Sequence, residues 1–135
     1  MLFIGKEKED EINEKKIVDS IRCLGLDMIN EADSGHSGIV LGAAPILYTL
    51  YAKHLNVNPL DPNWYNRDRF ILSSGHGSAL LYSTLFLAGF DISLDDLRNF
   101  RKINSKTPGH PELNITPGVD MSTGPLGQGL ASSVG

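Results

Sequence analysis

Amid the helical patterns of this chain stands one short apolar run, Phe70-Ile-Leu-Ser-Ser74, that reads as a buried strand. It is brief, Gly75 ends it, and a helical pattern resumes beyond it. One strand cannot make a sheet, because its backbone groups need those of a neighbour. The order helix, helix, strand, helix points to an α/β layered domain, and 135 residues with one strand read as the opening of a larger one.

Upstream, Ile17, Ile21, Leu24 and Met28 recur at helical spacing, with Val18 and Ile29 widening the stripe. A helix is expected from about residue 8 to residue 33, opened by Glu9, Asp10 and Glu11 and closed by Gly35. A second is expected near Ala43-Ala44-Pro45, with proline in its first turn and Ile46, Leu47, Leu50, Tyr51 and Leu55 on its apolar face. The stretch NVNPLDPNWYNRDR reads as an exposed polar connection. Ala79–Ala88 fits the helix after the strand, and Ser93 a cap for a short one with Asp95 and Asp96 in its first turn. From Thr107 to Gly118 three prolines and two glycines argue for an ordered loop, and Pro125 is expected to start a last helix.

Composition narrows the class. At 41% hydrophobic and 21% charged residues the chain is ordinary for a soluble globular protein. A net charge of −4 gives no basic footprint for nucleic acid. Met1-Leu-Phe-Ile-Gly5 is too short for a signal peptide, and no run is long enough to span a membrane. Cys23, beside Ile21 and Leu24, reads as a small buried hydrophobe in a reducing compartment, so a cytoplasmic location is expected.

Chemistry concentrates in three histidines set among glycines: His36 in SGHSG, His76 in SSGHGS and His110 in TPGHPE. Glycine there lets the chain turn sharply and another molecule come close. His76 falls between the strand and a helix, where open α/β sheets bind ligands, and can donate to a phosphate or move a proton near neutral pH. One histidine in a glycine loop is usually structural; three in the same setting favour function. Their wide separations match no compact zinc motif, leaving only a site assembled from distant loops as a metallohydrolase alternative. His54, in YAKHLN, reads as a surface or packing residue. The stretch MSTGPLGQG (121–129) is neither a dinucleotide fingerprint nor a P-loop, but a glycine turn feeding a helix.

Four stretches, SGHSGIVLGAAPILYTLY, NWYNRDRFILSSGHGSALLY, FRKINSKTPGHPE and PGVDMSTGPLGQGLASSVG, together resemble the N-terminal part of transketolases, thiamine-diphosphate enzymes of the pentose phosphate pathway. They occur in the family's order and cover nearly all of residues 31–135. Ser73, Ser74 and Gly77 around His76 set the chain apart from deoxyxylulose-phosphate synthases, whereas dihydroxyacetone synthase, a close relative, remains an alternative.

The resemblance implies a parallel-sheet, thiamine-diphosphate-binding domain over residues 11–135, incomplete in this chain, behind an N-terminal extension of residues 1–10. It implies transfer of a two-carbon ketol unit from a ketose phosphate such as xylulose 5-phosphate to an aldose phosphate such as ribose 5-phosphate. His76 would contact the cofactor's diphosphate and border the substrate; Gly124, Pro125 and Leu126 would line the cofactor. His110 would bind sugar hydroxyls, His36 would aid proton transfer, and Arg101 would lend positive charge near the substrate. The three histidines are thus the expected catalytic residues. Magnesium or another divalent ion is expected on ligands beyond residue 135, with no metal ligand in this segment. The partners implied are sugar phosphates, the rest of the chain or a companion subunit, and a second copy in a homodimer. A non-catalytic segment that docks on a partner chain is the alternative of another class. An open sheet edge and a large apolar patch also foretell poor solubility. Expressed alone, the 135-residue chain is expected to show no ketol transfer and no tight thiamine-diphosphate binding. A coupled turnover assay with xylulose 5-phosphate and ribose 5-phosphate checks this.

Overall fold

The computed structural model describes residues 10–135. Residues 1–9, which hold nearly all of the expected extension and the expected helix start at Glu9, lie outside the described residues. Helix α1 (Asp10–Glu31) carries the foreseen stripe, with Ile21 and Met28 buried and Ile17, Val18, Leu24 and Ile29 packed against the core. It stops where Asp33 turns left-handed at φ 47°. Gly35 then follows at φ 153°, where a Cβ would lie 2.5 Å from Ile29 Cγ1. Cys23 is exposed, which corrects its assignment to the core. Ile21 lies about 200° away from it around the helix, so nearness in sequence is not nearness in space.

Helix α2 (Ser37–Thr49) begins well before the expected Ala43, and Pro45 lies in its interior. A proline there removes the N–H that would bond the carbonyl of Leu41. That carbonyl accepts instead from Arg22 Nε of α1, at 3.0 Å. The two helices can touch because residue 25 is glycine; a Cβ would stand 2.6 Å from Val40 Cγ1. Past Thr49 the chain widens into a π-helical turn (Leu50–His54), closed by Leu55 N–H on the Leu50 carbonyl at 2.8 Å. Val40, Ala44, Leu47, Tyr48 and Tyr51 form the buried face. Ile46, expected inside, is 59% exposed because it points off that stripe. His54 is exposed.

Helix α3 (Ser78–Ala88) is the centre of the molecule, and every residue from Ser78 to Leu85 is buried. Helices α1 and α2 pack on it. Ser83 and Thr84 satisfy their hydroxyls on the carbonyls one turn back, at 2.7 and 2.8 Å. Gly89 (φ 94°) ends α3, with Phe90 N–H reaching the Leu85 carbonyl at 3.1 Å in a Schellman closure. Short helix α4 (Leu94–Arg98) carries the expected cap at Ser93, with Asp96 completing a capping box. The stretch 107–118 is ordered without regular structure. Helix α5 (Gln128–Val134) starts three residues after Pro125, because Gly127 at φ 86° breaks the helical path.

The expected strand and parallel sheet do not form among the described residues. Segment 70–74 is held by side chains instead: Phe70 N–H donates to Asp120 Oδ2 at 3.0 Å, and Thr123 Oγ1 donates to the Leu72 carbonyl at 2.8 Å. Arg67 pairs with the same Asp120 at 2.5 Å. A strand is defined by hydrogen bonds to a neighbour's backbone, and the stretch 120–123 that lies beside this one meets it through the Asp120 and Thr123 side chains instead. What is shown is a helical assembly. Among the described residues no helix is long and apolar enough to cross a membrane.

The α4 cap yields a test. Partial burial pushes the Asp96 carboxyl up, but hydrogen bonds from Ser93 and the charge of Lys106 outweigh it and hold it below its ordinary 3.8. A lowered folded-state value stabilises above the unfolded value and is lost as pH falls through the folded one. Ser93→Ala should therefore cost about 1 kcal/mol at neutral pH. The difference from the parent should shrink below pH 3.8. Urea midpoints measured at the two pH values check both parts.

Candidate functional site

His76 sits in a single 3-10 turn (Gly75–Gly77) that joins segment 70–74 to the start of α3. Gly75 is sterically required by backbone, and Gly77 is closely approached by a side-chain end. A Cβ at 75 would lie 2.8 Å from the backbone of Thr123, and one at 77 would lie 2.9 Å from Ile39 Cδ1. The turn is thus wedged between α2 and the chain at Thr123, with the His76 side chain half-buried. His36 is the residue ahead of α2, and its ring meets His76 edge to face, centroids 4.9 Å apart.

His110 comes from the proline-rich loop, and its side chain is exposed. The loop is fastened at several points. Thr107 Oγ1 donates to the Asp96 carbonyl at 2.6 Å, Thr116 Oγ1 to the Lys106 carbonyl at 2.5 Å, and Thr123 N–H to the Pro111 carbonyl at 3.1 Å. From α3, Ser78 Oγ donates to the Gly109 carbonyl at 2.8 Å. Tyr82 Oη lies 2.9 Å from the Pro108 carbonyl and 3.2 Å from that of His110. Burial pushes the Tyr82 phenol well above its usual range, against a hydrogen bond with Thr116, so it stays a neutral donor.

The turn 123–127 closes the arrangement. Gly124 faces His110: a Cβ there would stand 3.7 Å from His110 Cδ2. Thr123, next to it, backs onto Gly75. His36, His76, Gly75, Thr123, Gly124 and His110 therefore follow one another as a chain of contacts. Gly129 anchors the far side, where a Cβ would come within 2.6 Å of Ser73 Cα. Leu130 N–H donates to Ser73 Oγ at 3.1 Å. Pro125 is exposed and Leu126 is 78% exposed, so this turn offers both backbone and apolar surface to a ligand.

Arg101 occupies the left-handed region at φ 63°. Its Nη1 donates to Ser34 Oγ at 2.7 Å, its N–H to the Thr107 carbonyl at 3.0 Å, and its guanidinium packs over Phe100. A Cβ on Gly109 would meet its Nε at 3.3 Å. It thus spans from the loop before His36 to the loop of His110, and its buried Nε has no hydrogen-bond partner. Ser34, Ser78, Tyr82 and Thr123 were not singled out from sequence. The available signal was the pair of polar residues one turn apart in the otherwise apolar start of α3. Among the described residues no three metal-ligating side chains gather, so the metallohydrolase alternative finds no ligand set here.

The family described as the thiamine diphosphate binding domain of transketolase matches residues 13–135. The chain belongs to this transketolase family. It is 62% identical over 122 residues to Bacillus subtilis transketolase, covering 90% of this chain and 18% of that protein. It is 53% identical over 134 residues to Aquifex aeolicus transketolase, covering 99% and 19%. Pichia stipitis transketolase, solved with sedoheptulose 7-phosphate, superimposes with a TM-score of 0.87 at 49% identity, over 90% of this chain and 18% of that one. Campylobacter jejuni transketolase gives 0.86 at 54% identity, over 90% and 19%. The chain thus spans about a fifth of the length of the transketolases it matches.

The glycine contacts make the site's frame testable. Gly75→Ala should cost about 1–3 kcal/mol by forcing segment 75 off the Thr123 backbone. Gly42→Ala, inside α2 with nothing within 4 Å of a Cβ, should instead raise the melting temperature, alanine being the better helix former by about 0.5–1 kcal/mol.

Proposed function

We propose that this transketolase-family segment forms the diphosphate-side wall of a thiamine-diphosphate site, within an enzyme that moves a two-carbon ketol unit between sugar phosphates. The observation that carries the proposal is the contact chain from His36 through His76 and Gly75 to Thr123, Gly124 and His110. It joins polar donors to an open, partly apolar turn in a chain that matches a thiamine-diphosphate-binding family.

The residues present fit the cofactor. His76, half-exposed at the head of α3, would donate to its diphosphate. The backbone of Gly124–Leu126 and the exposed Leu126 side chain would take its aromatic part, polar edge and apolar face together. When bound, thiamine diphosphate supplies a nucleophilic carbon and an electron sink for cleaving a ketose. The protein's own task is orientation and proton transfer. His110, exposed beside Gly124, would hold sugar hydroxyls, which suit neutral partners better than strong charges. His36, against His76, would take and return a hydroxyl proton near neutral pH. Arg101 would add positive charge behind these loops, toward a phosphate-bearing substrate.

Pichia stipitis transketolase has been solved with sedoheptulose 7-phosphate, and a variant of it with fructose 6-phosphate, which supports sugar phosphates as the substrate class. Exposed Leu41, Ile46, Leu130 and Val134 support a covering partner, from the rest of the protein or a second copy in a homodimer. A divalent ion on ligands past residue 135 and a cytoplasmic setting complete the reading.

In the intact enzyme, His76→Ala should lower kcat about 100-fold or more. His110→Ala should act chiefly on KM for the ketose. Gly124→Ala should leave the melting temperature unchanged, because its Cβ meets only His110 carbons at 3.7 and 3.9 Å. It should nevertheless weaken thiamine diphosphate in a binding titration. An intact enzyme without ketol transfer between xylulose 5-phosphate and ribose 5-phosphate would overturn the proposal.

A further inference from the structure

Two hydroxyls on one side of α3 face the loop of His110. Ser78 and Tyr82 are four residues apart and so share a helix face. Between them they engage three consecutive carbonyls, Pro108, Gly109 and His110, at 2.9, 2.8 and 3.2 Å. The Tyr82 proton is shared by the first and the third, and the Ser78 proton goes to the middle one. Tyr82 cannot swing away: it is fully buried, and its ring packs edge to face on Phe100 with centroids 6.3 Å apart.

The residue before this helix's 3-10 entry turn is Ser74, and the turn itself carries His76. One rigid element therefore bears His76 at its head and grips the backbone of His110 six residues further on. A phenylalanine at 82 would fill the same core volume without a polar group to satisfy. The buried hydroxyl is instead shared between the Pro108 carbonyl and that of His110, whose ring stands against Gly124.

We propose that Tyr82, seconded by Ser78, is a positioning residue that sets the His110 ring relative to His76. This rests on the assignment of His110 to the sugar given above. Tyr82 touches neither ligand; it acts through His110.

The test is a double-mutant cycle in the intact enzyme, with Tyr82→Phe made in the parent and in His110→Ala. In the parent it should lower kcat/KM for xylulose 5-phosphate about tenfold, mostly through KM, with the thiamine-diphosphate Kd unchanged. In the His110→Ala background it should cause no further loss, because the group it positions is gone. In histidine-labelled enzyme without cofactor, the His110 ring signal should move on Tyr82→Phe, whereas that of His54 should not. The same factor lost in both backgrounds, an unchanged kcat/KM, or an unmoved His110 signal would each overturn the proposal. Should Tyr82→Phe fail to fold, Ser78→Ala is judged by the same criteria with a loss of about threefold expected. If the parent enzyme itself lacks ketol transfer, the functional reading fails, and the His110 signal alone decides the positioning claim.

Discussion

Burial of α3 on every side is the constraint from which the rest of this structure follows. A helix enclosed all round must have its polar side chains satisfied inside the protein. Ser83 and Thr84 turn back on their own helix, whereas Ser78 and Tyr82 reach outward to the proline-rich loop. That loop has little regular backbone bonding of its own, so the core helix becomes its scaffold. The same enclosure brings α1 and α2 close, which is why Gly25 faces Val40 and Gly77 faces Ile39 without a Cβ.

The proline in α2 shows how a local fault is repaired at a distance. Leu41 loses its usual intrahelical donor to Pro45, and an arginine from the neighbouring helix supplies another. The helix then continues for a further turn and relaxes into a wider one before it ends. Asp120 does comparable service for segment 67–70, serving both the Arg67 side chain and the Phe70 amide.

Elements whose signals are local were legible in the sequence. The stripe of α1, the apolar body of α3, the Ser93 box and the irregular 107–118 stretch depend on residues within a turn or two of one another. Where the deciding partner is remote, the sequence misled. Pro45 looked like a first-turn proline because the Arg22 donor that lets it sit deeper is invisible from α2 alone. Phe70–Ser74 looked like a strand because its composition is strand-like, but strand status depends on a neighbour's backbone. Gly127's positive φ, which delays α5, leaves no mark beyond the glycine itself. Glycine flanks and the motif resemblance drew attention to His36, His76 and His110. Nothing in one dimension showed that the rings of His36 and His76 touch, or that Arg101 is engaged between two loops.

Gly75 against Thr123 and Gly129 against Ser73 fix the walls of the site by main-chain contact. Main-chain atoms are the same whatever residue is encoded, so the frame does not depend on the identity of the side chains that point away from it. The exposed side chains of Leu126 and His110 take no part in those two contacts. A frame held in this way stays in place when the side chains it displays are exchanged one at a time.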